Sequence, residues 1–114
     1  MLRIGTGPGL ELFEIEAPAH QPAAALNDYG LNHLAVYVDD VDAAVRRMVA
    51  AGGHMLSEGH GTWRDEDTPG NASVYARAPW GTLIELQSIP GGYHYPQDAE
   101  AEVWLPPRRD VGQG

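Results

Sequence analysis

Two ionisable residues stand in segments otherwise suited to strands. His33 lies in Gly30-Leu31-Asn32-His33-Leu34-Ala35-Val36-Tyr37-Val38, and Glu85 in Trp80-Gly81-Thr82-Leu83-Ile84-Glu85-Leu86. An imidazole and a carboxylate on strands of one sheet supply part of a first-row metal site. With no cysteine in the chain, any metal must be held by such nitrogen and oxygen ligands, which suit Zn²⁺, Ni²⁺, Mn²⁺ or Fe²⁺. A carboxylate flanked by Ile84 and Leu86 is costly to bury unpaired, so Glu85 calls for a cation, a set of hydrogen bonds or a wet cavity. His33 taken alone reads first as a satisfied strand histidine, and only the matching Glu85 and the surrounding pattern put metal ligation level with that reading. Glu58-Gly59-His60 offers two more ligand types, but in a glycine-rich loop that reads as solvated or as a lid over the site. Asp65-Glu66-Asp67 reads as solvated loop. Arg77 suits an anionic substrate group but reads at least as well as an exposed strand arginine, and Phe13, Trp63, Tyr75 and Trp80 are candidates for an aromatic pocket. For Trp80, packing within its turn is the plainer reading. No glycine-rich phosphate loop, nucleophile elbow or His-Glu-x-x-His helix occurs.

The elements that must position these residues follow from periodicity. Residues 31–38 alternate, with Leu34, Val36 and Val38 on one face and His33, Ala35 and Tyr37 on the other. A helix follows, capped by Asp39 or Asp40, with Val41, Val45 and Met48 at helical spacing and Gly52-Gly53 as its stop. A short strand begins near His54, residues 57–71 form a long loop, and residues 72–77 and 82–88 are strands joined by Ala78-Pro79-Trp80-Gly81. This order predicts a curved, largely antiparallel sheet with the helix on its convex side. Val36, Val74, Ile84 and Leu86 would pack on that helix. His33, Tyr37, Tyr75, Glu85 and Gln87 would line the opposite face, a set too polar for a core and better suited to a concave site. Upstream, residues 9–16 alternate as a strand, with Glu11, Phe13 and Ile15 on one face, and residues 17–29 read as a linker. Beyond residue 90, prolines, glycines and scattered aromatics make an extended tail.

Composition narrows the classes. A chain of 114 residues holds one domain at most and a modest core. Sixteen acidic against seven basic residues give a formal charge of −9, which argues against nucleic-acid partners. No apolar run is long enough to span a membrane, and the N-terminal residues lack a signal-peptide layout, so a cytoplasmic location is the expectation.

The ordered combination of Gly-Leu-Asn-His-Leu-Ala-Val-Tyr-Val-Asp-Asp-Val-Asp, Ala-Ala-Gly-Gly after the helix, and Val-Tyr-Ala-Arg-Ala-Pro-Trp-Gly-Thr-Leu-Ile-Glu-Leu resembles the vicinal oxygen chelate superfamily. Its members include glyoxalase I, methylmalonyl-CoA epimerase, extradiol dioxygenases, fosfomycin-modifying enzymes and bleomycin resistance proteins. The resemblance implies an α+β fold built on a βαβββ module over residues 30–90, with an extra N-terminal strand. It also implies metal ligands from the first and last strands of a module, which His33 and Glu85 match. Gly7-Pro8-Gly9-Leu10-Glu11-Leu12-Phe13-Glu14 is similar to the last strand of a preceding module, with Glu11 at its carboxylate position. Residues 1–16 would then be the remnant of that module, 17–29 a linker, and 91–114 a tail of a kind the superfamily shows.

Members typically carry two modules per chain and many dimerise. Here the rest of the preceding module is missing, so the chain is either a truncated form or a short form that pairs with another copy. The resemblance implies a homodimer, with Glu11 from the N-terminal strand joining a shared site. His33, Glu85 and Glu11 would make a two-carboxylate set, unlike the 2-His-1-carboxylate triad of iron oxygenases. A further histidine would have to come from His20, His54, His60 or His94, none at a ligand position of the superfamily. The expected function is therefore metal-dependent proton transfer (lyase, isomerase or epimerase) on a small oxygenated substrate. Glu85 would be the catalytic residue, with Tyr37, Tyr75, Arg77, Phe13 and Trp63 around the substrate. The alternatives are a metal-free protein that binds a drug-like molecule, and an inactive truncated member.

Overall fold

The computed structural model describes residues 1–57, 67–93 and 95–101. Glu58-Gly59-His60, Trp63, Asp65, Glu66 and His94 lie outside the described residues. Seven elements follow in order: β1 (Leu2–Arg3), β2 (Gly9–Leu10), β3 (His33–Tyr37), α1 (Val41–Ala50), β4 (His54–Met55), β5 (Ala72–Arg77) and β6 (Leu83–Ser88). The last four strands form one curved, open sheet in the order β3-β6-β5-β4. β3 runs parallel to β6, and the other two pairings are antiparallel.

The helix begins where Asp40, in extended backbone, accepts from the Ala43 N–H at 2.9 Å. Arg47 in the last turn complements the helix dipole. It ends in a Schellman arrangement. Gly52 takes a left-handed φ of 88°, its N–H reaches Val49 O, and the Gly53 N–H reaches Met48 O. Gly53 also allows a close approach, because a Cβ there would lie 2.9 Å from the Arg77 carbonyl and 2.6 Å from Met48 Sδ.

Val41 and Ala44 of α1 pack with Val74 and Leu86 as the buried cluster, and Val38, Val45, Met48, Met55, Ala72 and Ile84 close around it. Val36 shares that sheet face by register and is partly buried. At one end of the sheet the turn before β5 is clamped to the chain after β6. The Thr68 hydroxyl and Asn71 Nδ2 both donate to Gly92 O, at 2.9 and 2.8 Å, and Asn71 Oδ1 accepts from the Gly91 N–H at 3.1 Å.

The strand expected over residues 9–16 is largely absent. Only Gly9–Leu10 is a strand, paired with Leu2–Arg3 in a two-stranded unit separate from the main sheet. Strand structure needs a ladder partner, and no described residue pairs with the segment beyond Leu10. Leu12, Phe13 and Ile15 accordingly stand exposed. No helix among the described residues is long and apolar enough to cross a membrane.

Candidate active site

The side of the sheet away from α1 carries His33, Ala35 and Tyr37 from β3, Leu83, Glu85 and Gln87 from β6, and Ser73, Tyr75 and Arg77 from β5. Alternation along each strand and the register between strands put them there. Glu85 stands at the centre. Ala35 is opposite it on one side and Tyr75 on the other, while His33 and Ser73 are its diagonal neighbours, within reach of a long side chain. Ala35, small and exposed, leaves the floor between His33 and Glu85 open.

Glu85 is only 13% exposed in its side chain, and its two oxygens have different partners. Oε1 accepts the Ser73 hydroxyl. Oε2 lies 3.5 Å from His33 Nε2. The other imidazole nitrogen, Nδ1, is 2.6 Å from Asn32 Oδ1. The His33 ring meets Tyr75 edge to face, with centroids 5.4 Å apart and planes at 72°. A mostly buried carboxylate is thus held by one hydroxyl and faces one imidazole, whose ring meets a tyrosine edge to face.

This pair fits a metal. A tetrahedral ion with nitrogen and oxygen ligands at about 2.1 Å holds them roughly 3.4 Å apart, close to the separation of Nε2 and Oε2. The third expected ligand is not brought in. Glu11 is exposed just beyond β2, and among the described residues no group of three His, Asp or Glu side chains is placed to hold a metal.

Tyr37 and Tyr75 share the face with the pair, as expected. Arg77 sits at its end but is already engaged, with Nη1 donating to Gly81 O at 2.6 Å and reaching Ala24 O at 3.5 Å. Its positive charge therefore braces a turn and the upstream segment. Phe13 is 77% exposed in the N-terminal segment. Trp80 is exposed in its turn, with Nε1 donating to Thr82 Oγ1 at 2.7 Å. The aromatic pocket expected from Phe13, Trp63, Tyr75 and Trp80 is therefore not assembled among the described residues. Two residues of the site escaped the sequence reading, Ser73 and Asn32. Ser73 could have been found from the alternation that places it with Tyr75 on the face of Glu85. Asn32 gives no periodic signal, since it acts sideways on its neighbour.

The curved sheet and single helix, in βαβββ order, are consistent with a vicinal oxygen chelate module. The sequence profile of the Glyoxalase/Bleomycin resistance protein/Dioxygenase superfamily matches residues 1–69, and the chain belongs to that superfamily. Among curated proteins it is similar to a 2-epi-5-epi-valiolone epimerase of Actinomyces sp, with 37% identity over 107 residues. That match takes in 93% of this chain and 58% of the relative, so the chain spans little more than half the relative's length. No solved structure matches the chain.

Proposed function

We propose that the chain forms the catalytic module of a metal-dependent epimerase acting on a small oxygenated carbonyl compound, of the kind named for its Actinomyces relative. The observation that carries this reading is the mostly buried pair of His33 Nε2 and Glu85 Oε2, 3.5 Å apart on the open face. His33 and Glu85 would hold a divalent ion. Such an ion, when bound, supplies Lewis acidity that stabilises charge developing on a substrate oxygen.

The chain's own residues have separate tasks. Ser73 secures Oε1 of Glu85, which leaves Oε2 to meet a cation or to exchange a proton with a carbon next to a carbonyl. Tyr75 meets the His33 ring edge to face and packs beside it. Tyr37 and Tyr75 present phenol groups that can hydrogen-bond the hydroxyls of an oxygenated substrate. The third ligand would be Glu11 of a second copy. The exposed Leu12, Phe13 and Ile15 beside it, and the outer edge of β3, which no described strand pairs, favour such an arrangement.

The test is metal content by mass spectrometry on purified protein, with His33→Ala and Glu85→Ala as paired controls. It is joined to an NMR assay for exchange of substrate protons with D₂O, using 2-epi-5-epi-valiolone as the first substrate. The expected outcome is near-stoichiometric divalent metal, lost in both variants together with exchange. Failure to take up Zn²⁺, Ni²⁺, Mn²⁺ or Fe²⁺ would overturn the metal-dependent reading. A strictly monomeric species in sedimentation at micromolar concentration would overturn the shared site.

A further inference from the structure

Each nitrogen of the His33 imidazole meets an acceptor oxygen. Nδ1 is 2.6 Å from Asn32 Oδ1, and Nε2 is 3.5 Å from Glu85 Oε2. A neutral ring carries one proton and can serve only one of them. The Asn32 carboxamide decides which. Its Nδ2 donates to Leu26 O at 3.2 Å and to Asp28 O at 3.3 Å. Turning the amide over would set Oδ1 against those two carbonyls. The carbonyls belong to a closed turn, in which the Ala25 N–H donates to Asp28 Oδ2 at 2.6 Å and the Asp28 N–H to Ala25 O at 3.1 Å. Oδ1 is thereby kept as an acceptor facing Nδ1. A lone pair on Nδ1 would then face an oxygen at 2.6 Å, a worse conflict than one on Nε2 facing an oxygen at 3.5 Å.

We propose that Asn32 is a positioning residue that locks neutral His33 in the Nδ1–H tautomer and turns the Nε2 lone pair toward Glu85. That is the form in which the imidazole can accept a cation or a substrate proton. The purpose of the lock rests on the function proposed above, but the tautomer belongs to the metal-free chain and can be measured without activity. Two acceptors, Nε2 and Oε2, then converge on one point, and the turn at residues 25–28 becomes part of the machinery that aims them.

The test is a long-range ¹H–¹⁵N correlation spectrum of the labelled, chelator-treated protein at a pH where the ring is neutral, with His33 assigned from His33→Gln. The wild type should show a protonated, pyrrole-like Nδ1 and a pyridine-like Nε2. Asn32→Ala should reverse that pattern, because the proton can then move to Nε2 and be donated to Glu85. A wild-type ring with its proton on Nε2 would overturn the proposal, and this reading does not depend on Asn32→Ala folding. An unchanged pattern in a folded Asn32→Ala would overturn it as well. The expected wild-type pattern in a protein that takes up no metal would support the lock while sinking the metal-dependent reading.

Discussion

Glu85→Gln tests the electrostatics of the site with a change of almost no volume. In the metal-free protein a carboxylate only 13% exposed is held by the Ser73 hydroxyl and faces an imidazole nitrogen 3.5 Å away. With Nδ1 protonated, that nitrogen offers a lone pair rather than a proton, so one carboxylate oxygen gains little. The substituted amide matches both neighbours, since its carbonyl accepts from Ser73 and its N–H₂ donates to His33 Nε2. Exchanging a charge-assisted bond for a neutral one loses about 1 kcal/mol, and the new bond to His33 returns about as much. What remains is relief from holding a carboxylate only 13% exposed, taken as about 1 kcal/mol, the low end of what replacing buried ion pairs by neutral residues returns. At about 4–8 °C per kcal/mol for a small domain, the midpoint should rise by roughly 4–8 °C. The assay is thermal unfolding followed by circular dichroism in a chelator, on wild type and variant side by side. The metal uptake proposed for this pair should be lost at the same time, the pattern of a site that gives up stability for function. A midpoint that falls by several degrees would refute the reasoning, because it would mean that the carboxylate suits its surroundings better than the amide does.

Two further outcomes test the scaffold. Gly91→Ala would place a Cβ 2.5 Å from Thr68 Oγ1 and 2.8 Å from Pro69 O, prising apart the clamp that carries three hydrogen bonds. At about 1 kcal/mol for each bond, a loss of roughly 2–3 kcal/mol should appear as a lower urea midpoint with an unchanged slope. Asp40→Ala removes the cap of α1 and should cost about 1 kcal/mol in the same measurement, while leaving metal uptake as in the wild type.

The module from residue 33 onward was legible because its signals are local and agree with one another. Alternation in residues 31–38, an aspartate before an apolar helical stripe, and Gly52-Gly53 after it specify strand, cap, helix and stop, and the structure has each of them within two residues. The open face followed too, since alternation alone puts His33, Tyr75 and Glu85 together once the strands pair. Residues 9–16 misled for a physical reason. Their alternation is that of a strand, but a strand exists only where another chain segment completes its ladder, and sequence pattern carries no information on whether that partner is present. Arg77 misled differently. Its charge suggested an anion, and only the folded chain shows carbonyl oxygens of Gly81 and Ala24 already in its reach.

The segment expected as a linker bears on the site at both ends, which changes what the minimal working unit is. Ala24 O accepts from Arg77, and Ala23 lies so close to Gly81 that a Cβ on that glycine would sit 2.8 Å from it. A few residues on, the carbonyls of Leu26 and Asp28 orient Asn32 and through it the imidazole of His33. Residues 23–28 therefore brace the open face at the β5–β6 turn and at the start of β3. None of these contacts is apolar enough to show as periodicity, and each is worth only about 1 kcal/mol. Their effect falls on orientation more than on stability. A module cut at residue 30 would keep the helix, the sheet and both site residues, yet lose what points His33 at Glu85.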